Sequence, residues 1–182
     1  VIKVLEEAGI QADYVSGTSA GGVVASLYCG GYCYREIFEI IKHIKWNHLV
    51  QFRFGRGGMF LPDKMEELID SLLEGKTFDE LSIPFGVTAV DVNTGEQIVI
   101  KTGSVARAVR ASATVPGVFI PVEIDGRLLI DGGMVNSLPG DVVREMGADI
   151  VLGINLNGGR IAEKESKRAM QIIKKTFSIM VN

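Results

Sequence analysis

At 182 residues, with 47% hydrophobic and 23% charged side chains, the chain has the composition of one globular domain with a substantial core. Its net charge of −3 and a pI of about 5.5 carry no electrostatic footprint for nucleic acid, and no polybasic patch would hold an anionic membrane. No run approaches the roughly 20 apolar residues of a membrane-spanning helix.

Val1, Ile2, Val4 and Leu5 read as the buried face of a helix that ends at Gly9. The sequence enters this pattern midway, so it is expected to be a fragment or to lack a preceding segment. Ile10 to Ser16 leads into a strand. Six residues follow, Gly17-Thr18-Ser19-Ala20-Gly21-Gly22, and then a run of apolar and small residues, Val23 to Tyr28. This run reads as a buried helix from about Ala20 to Tyr28 that stops at Gly30-Gly31. Gly-x-Ser-x-Gly between a strand and a helix is the signature of a nucleophile elbow. The serine sits at the tip of a sharp turn, and flanking glycines keep Cβ atoms out of the space where strand and helix cross. The helix N-terminus behind the serine points N–H groups and a positive dipole end at developing negative charge. With 22 glycines in 182 residues, the pattern also arises by chance in glycine-rich loops. A phosphate-binding turn is a third reading, weakened because no lysine follows the glycines.

Cys29 and Cys33, four apart, match neither a zinc pattern nor a redox C-x-x-C motif and are expected to be buried, reduced thiols. Tyr34 to about Leu49 reads as a helix with Ile37, Ile40, Ile41 and Ile44 on one face. His43 shares its polar face with Glu36 and Glu39 and is expected to be solvated. His48, near the helix end, is expected to be half-buried or capping. Phe52 to Phe60, rich in glycine and arginine, reads as a flexible loop with aromatic anchors. Pro62-Asp63 opens a helix, with Asp63 as N-cap, Glu66 as its capping-box partner and Met65, Leu68, Ile69, Leu72 and Leu73 inward. Phe85 to Asp91 and Gln97 to Lys101 are predicted strands joined by the Asn93-Thr94-Gly95 turn. Ser104 caps a helix reaching Ala111, and an irregular loop covers Ala113 to Phe119. Ile120 to Ile124 and Leu128 to Ile130 flank an Asp125-Gly126 turn, and Asp131-Gly132-Gly133 follows. A short helix opens near Pro139 and ends at Gly147. Asp149 to Leu156 has the apolar run of a central parallel strand, Asn157-Gly158-Gly159 looks like a boundary, and Ala162 to Val181 reads as a helical tail. Strands alternating with helices indicate an α/β fold with a mostly parallel central sheet and helices on both faces.

A serine nucleophile needs a proton acceptor within hydrogen-bond reach. The α/β-hydrolase order is Ser, then Asp or Glu, then His, and neither His43 nor His48 follows Asp131. Triads of other orders remain open. Among carboxylates, Asp131 follows a short apolar strand and precedes two glycines that let the backbone pass close to the elbow. Asp91 also ends a strand, but its Asn-Thr-Gly sequel is ordinary hairpin chemistry. Asp131 before glycine is equally a turn-former. A carboxylate with a reference pKa of about 3.9 is a weak base at neutral pH unless the site desolvates it.

Gly17-Thr18-Ser19-Ala20-Gly21-Gly22 together with Asp131-Gly132-Gly133 resembles the patatin-like phospholipase family. The likeness is to its small bacterial members related to the catalytic domain of neuropathy target esterase. Ala111-Ser112-Ala113-Thr114-Val115-Pro116-Gly117-Val118-Phe119-Ile120-Pro121 looks like the family's loop before its Asp strand, and Asn136 and Pro139 fit as well. The resemblance covers roughly residues 1–157, with 158–182 as a separate tail. It implies a three-layer patatin-like architecture and a Ser–Asp dyad that hydrolyses acyl esters of lipids without histidine. Ser19 matches the nucleophile and Asp131 the base, with Gly17, Thr18, Ala20 and Gly21 forming the elbow and Gly132 and Gly133 completing the Asp motif. The backbone N–H of Ala20 is the expected oxyanion donor. The family's glycine-rich oxyanion loop has no counterpart in these residues, so an N-terminal strand and that loop are expected to be missing and activity to be weak. The expected partner is a lipid ester or phospholipid, with at most peripheral membrane contact and no nucleic acid. No metal or organic cofactor is called for, and the expected location is the cytoplasm. Two rivals stand beside this reading: a triad esterase using His43 or His48, and a non-catalytic lipid- or anion-binding module that keeps the elbow shape.

Overall fold

The structure, a computed structural model, describes residues 1–44, 51–55, 58–61 and 63–156. In chain order the elements are α1 (Ile2–Glu7), β1 (Val15–Thr18), α2 (Ala20–Cys29), α3 (Tyr34–His43), β2 (Gln51–Gly55), β3 (Gly58–Leu61) and α4 (Asp63–Leu72). They continue as β4 (Phe85–Asp91), β5 (Gln97–Ile100), α5 (Val105–Ser112), β6 (Val122–Ile124), β7 (Arg127–Asp131) and α6 (Gly140–Glu145).

Strand β4 is the axis of the sheet and is buried along its whole length. It pairs in parallel with β1, with Thr18 level with Thr88. It pairs antiparallel with β7, with Asp131 level with Ala89, and antiparallel with β5 across residues Val87 to Val90. One residue offers a ladder edge on each side only. Since β5 shares Val87 and Thr88 with β1 and shares Ala89 and Val90 with β7, both β1 and β7 must lie on the edge opposite β5. They run toward each other along that edge, and their C-terminal ends meet between Thr88 and Ala89. This head-to-head meeting brings the residue after Thr18 up against Asp131.

The α/β class holds, and the sheet is mixed. The parallel pair β1–β4 carries the elbow, while β4–β5, β4–β7 and β6–β7 are antiparallel among the described residues. The β4–β5 and β6–β7 connections are short turns, which only antiparallel strands accept. Helices cover both faces. On β4, Val87 faces α2, where its Cγ2 would lie 2.9 Å from a Cβ at Gly22, while its neighbour Gly86 faces Val142 of α6. Successive strand residues point to opposite faces, so α2 and α6 lie on opposite sides of the sheet. The core on the α2 side is built from Leu27, Val87, Ala89, Val105, Val109 and Leu129 together with Ile69 and Leu73. No helix among the described residues is long and apolar enough to cross a membrane.

Several elements differ from the sequence reading. The described residues of the stretch 52–60 are strand rather than loop: β2 and β3 pair antiparallel with Phe52 level with Phe60. The aromatic and aliphatic residues of both segments favour pleated backbone. Residues 149–156 form no strand, and Ile150 is 89% and Leu156 82% exposed. A strand exists only where a neighbour accepts its ladder, and no described strand lies beside this one. Helix α1 lays only its Ile2 side against the core, leaving Val1 and Val4 exposed. Cys29 is buried as expected, and burial raises its thiol pKa to about 12. Cys33, by contrast, is exposed, because it is the N-cap residue of α3, with its N–H donating to Glu36 Oε2 at 2.8 Å. Both are free thiols. The α3 helix ends at His43, short of the expected Leu49. His48, Asp63 as an N-cap side chain and the helical tail fall outside the described residues or side chains.

Candidate active site

Ser19 is the N-cap residue of α2 with φ 54° and ψ −122°. A side chain in that region is strained by about 1–3 kcal/mol and persists only where its surroundings over-determine it. An N-cap serine ordinarily turns its hydroxyl onto the first helical N–H groups. Here it makes no such bond. Ser19 Oγ donates instead to Asp131 Oδ2 at 2.7 Å. The first-turn N–H groups of a helix have no intrahelical acceptor, and Ala20 and Gly21 are exposed. The N–H of Ala20 therefore has no intrahelical acceptor.

The glycines explain how the turn is so tight. A Cβ at Gly17 would sit 2.7 Å from both Gly21 O and Gly22 N, and one at Gly22 would press on Val87. Gly21 has nothing within 4 Å, so the crossing of strand and helix requires Gly17 and Gly22 rather than both glycines of the Gly-x-Ser-x-Gly pattern. On the other side, a Cβ at Gly132 would strike the Thr88 carbonyl, so the backbone leaving β7 passes directly against β4.

Asp131 is fully buried. Its Oδ1 accepts from the Gly133 N–H at 2.8 Å, leaving Oδ2 for Ser19. Burial raises its pKa from 3.8 to about 6, against the opposing hydrogen bonds from Ser19 and Gly133. Desolvation disfavours the charged form and makes the carboxylate a better proton acceptor near neutral pH.

A buried polar chain braces the site from below. Thr18 Oγ1 donates to Asn136 O at 2.8 Å, so in the 2.5 Å contact between Thr18 and Thr88 the proton comes from Thr88. Ser16 Oγ donates to Pro139 O at 2.7 Å, tying the elbow strand to the loop after the Asp motif. Asn136 and Pro139 carry part of the family resemblance, whereas no sequence motif marks Ser16 or Thr88 as a site residue. Thr88, a polar residue between Val87 and Ala89, is the available signal.

The remaining expected residues lie elsewhere. His43 is on the exposed side of α3, 3.5 Å from the Glu39 carboxylate. Asp91 accepts from the Asn93 N–H and lies 3.6 Å from Arg127, as a turn residue with an ion-pair partner.

A family model for patatin-like phospholipase matches residues 1–143, a span that includes both Ser19 and Asp131. The chain belongs to the patatin-like phospholipase family. This patatin-like chain is 29% identical over 161 residues to an uncharacterised NTE family protein of Mycobacterium tuberculosis, a match covering 87% of this chain and 44% of that one. It is 32% identical over 164 residues to patatin-like phospholipase domain-containing protein 6 of Homo sapiens, covering 86% of this chain and 12% of the relative. To domain-containing protein 7 of Rattus norvegicus it is 28% identical over 166 residues, with 86% and 12% covered. The chain thus spans less than half the length of these curated relatives.

Proposed function

We propose that this patatin-like domain is a serine acyl hydrolase acting on carboxylic esters of lipids through Ser19 and Asp131. The observation that carries the reading is the 2.7 Å hydrogen bond from a strained, elbow-borne serine to a buried carboxylate whose second oxygen is already engaged. A structural serine at a helix N-terminus has no reason to hold positive φ and forgo its cap. Membership of a family described as phospholipases, and relatives named for it, support the lipid ester as substrate.

The chemistry follows from the geometry. Asp131 takes the Ser19 hydroxyl proton as Oγ attacks the ester carbonyl, and the Ala20 N–H stabilises the oxyanion. The protonated Asp131 then returns its proton to the departing alcohol, leaving the acyl group on Ser19. Water enters, gives a proton to Asp131 and attacks the acyl carbon. Collapse breaks the bond to Ser19 Oγ, which regains the proton, and the free carboxylic acid leaves. No histidine takes part.

A fluorophosphonate probe tests this directly. Labelling that disappears in Ser19→Ala, with hydrolysis of a p-nitrophenyl acyl ester lost in parallel, is the expected result. An unlabelled protein that still binds lipid vesicles would mark a binding module that keeps only the elbow shape.

A further inference from the structure

The end of α5 touches both members of the proposed dyad at their backbones. Ser19 lies one residue past the last ladder pair, Thr18 with Thr88, at the point where the chain leaves the strand for the helix. That N–H donates to Ser112 Oγ at 2.8 Å. Two residues further along, the Thr114 carbonyl accepts from the Asp131 N–H at 2.9 Å. Ser112 and Thr114 are both fully buried. The segment between them is itself held to the helix: Ala113 N–H donates to Val109 O, Thr114 N–H to Ala111 O, and Thr114 Oγ1 to Arg110 O at 2.9 Å. Helix α5 in turn packs into the core through Val105, Ala108, Val109 and Ala111. One rigid helix end therefore fixes the two backbones whose spacing sets the serine–carboxylate distance.

We propose that Ser112 and Thr114 form a positioning clamp, in which Ser112 Oγ holds the nucleophile in its strained elbow conformation while the Thr114 carbonyl holds the base. The proposal rests on the Ser19–Asp131 reading. The Ser112 hydroxyl supplies the acceptor that makes positive φ at Ser19 tenable. Without it that N–H loses its side-chain acceptor, the elbow relaxes, and Oγ moves off Asp131. A displacement of the reacting atom by about 1 Å costs on the order of a hundredfold in rate. Thr114 acts through its main chain, so only Ser112 is accessible to side-chain substitution.

Three variants separate positioning from ordinary stability. Ser112→Ala removes the acceptor. Ser112→Cys keeps the volume while offering only a weak acceptor, so it stands in if the alanine variant does not fold. Ser26→Ala deletes an equally buried hydroxyl on α2, bonded to Val23 O and remote from the dyad. The readouts are melting temperature, fluorophosphonate labelling rate, kcat and KM separately, and the pH dependence of kcat/KM on a p-nitrophenyl ester. The expected result is a kcat lower by about 10- to 100-fold in both Ser112 variants with KM within about twofold, and wild-type kcat in Ser26→Ala. The acidic limb should also move to higher pH in the Ser112 variants. Only burial and the bonds from Ser19 and the Gly133 N–H shift the Asp131 carboxyl, and losing the Ser19 bond removes one of the two that lower it. Wild-type protein that labels, with Ser112 variants labelling at the same rate, overturns the clamp and leaves the dyad standing. Wild-type protein that does not label overturns both.

Discussion

Asp131→Asn separates catalysis from stability, and the two effects should have opposite signs. The amide keeps the local bonds: its oxygen accepts from the Gly133 N–H and its nitrogen donates to Ser19 Oγ, so packing is preserved. It cannot take a proton, and loss of a positioned base costs about 10²- to 10⁴-fold in rate. Stability should rise instead. The folded pKa of about 6 lies above the model value of 3.8, so between these values the native state binds more proton than the unfolded state. Stability contributed by the protonated carboxyl is present at low pH and is lost as pH climbs through that window. Above pH 6 the folded protein carries a buried carboxylate at a cost of about two pKa units, or roughly 3 kcal/mol as an upper figure. Asparagine removes that cost. The variant should therefore melt up to about 6–12 °C higher than wild type at pH 8, using about 2–4 °C per kcal/mol for a chain of this size. The difference should shrink toward zero near pH 4. The assay is thermal or urea unfolding of both proteins at pH 4, 6 and 8, beside ester hydrolysis. A variant equally or less stable than wild type at pH 8 would refute the desolvation argument, and one with undiminished hydrolysis would remove Asp131 as the base.

The same carboxylate should place the acidic limb of the wild-type kcat/KM profile near pH 6, with activity rising as pH increases through it. A profile flat from pH 5 to 8 would count against an Asp131 base. Gly17→Ala should lose more than about 3 kcal/mol or fail to fold, because its Cβ meets backbone at 2.7 Å that has nowhere to move. Gly21→Ala, facing open space in α2, should be neutral or stabilising by up to about 1 kcal/mol. Equal urea midpoints for the two would contradict the crossing geometry. Thr88→Val deletes one bond of the buried chain and should cost about 1 kcal/mol. Thr18→Val breaks both the Thr88 and Asn136 bonds and should cost about 2–3 kcal/mol, measured by denaturant unfolding, and the reverse order would contradict the place of Thr18 at the junction of the two bonds.

Much of the local structure is legible in the residues because its causes are local. Ser104 caps α5 by accepting from the Arg107 N–H, the Asn93-Thr94-Gly95 turn closes β4 onto β5, and Asp125-Gly126 closes β6 onto β7. Each depends on a handful of adjacent side chains and their φ preferences. The same holds for the elbow, whose strand, turn and helix are consecutive. Where local pattern admits two outcomes, it misleads. Ile150 to Leu156 has the composition of a buried strand, and Phe52 to Phe60 that of a loop. Their states depend on whether a neighbouring strand is there to pair, which no window of sequence reports.

Residue identity and order supply the two motifs, Gly17 to Gly22 and Asp131 to Gly133, and place both histidines of these 182 residues before Asp131. That the motifs meet is a property of the folded chain. Ser19 and Asp131 are 112 positions apart, and they touch because β1 and β7 share one edge of β4 and run into each other at Thr88 and Ala89. The same packing brought Ser112 under Ser19 and sealed Asp131 from water. Both effects are non-local: a hydrogen bond across 93 residues and a desolvation set by everything around the carboxyl. Chain order encodes which groups are available, whereas their distance and their proton affinity are properties of the folded environment.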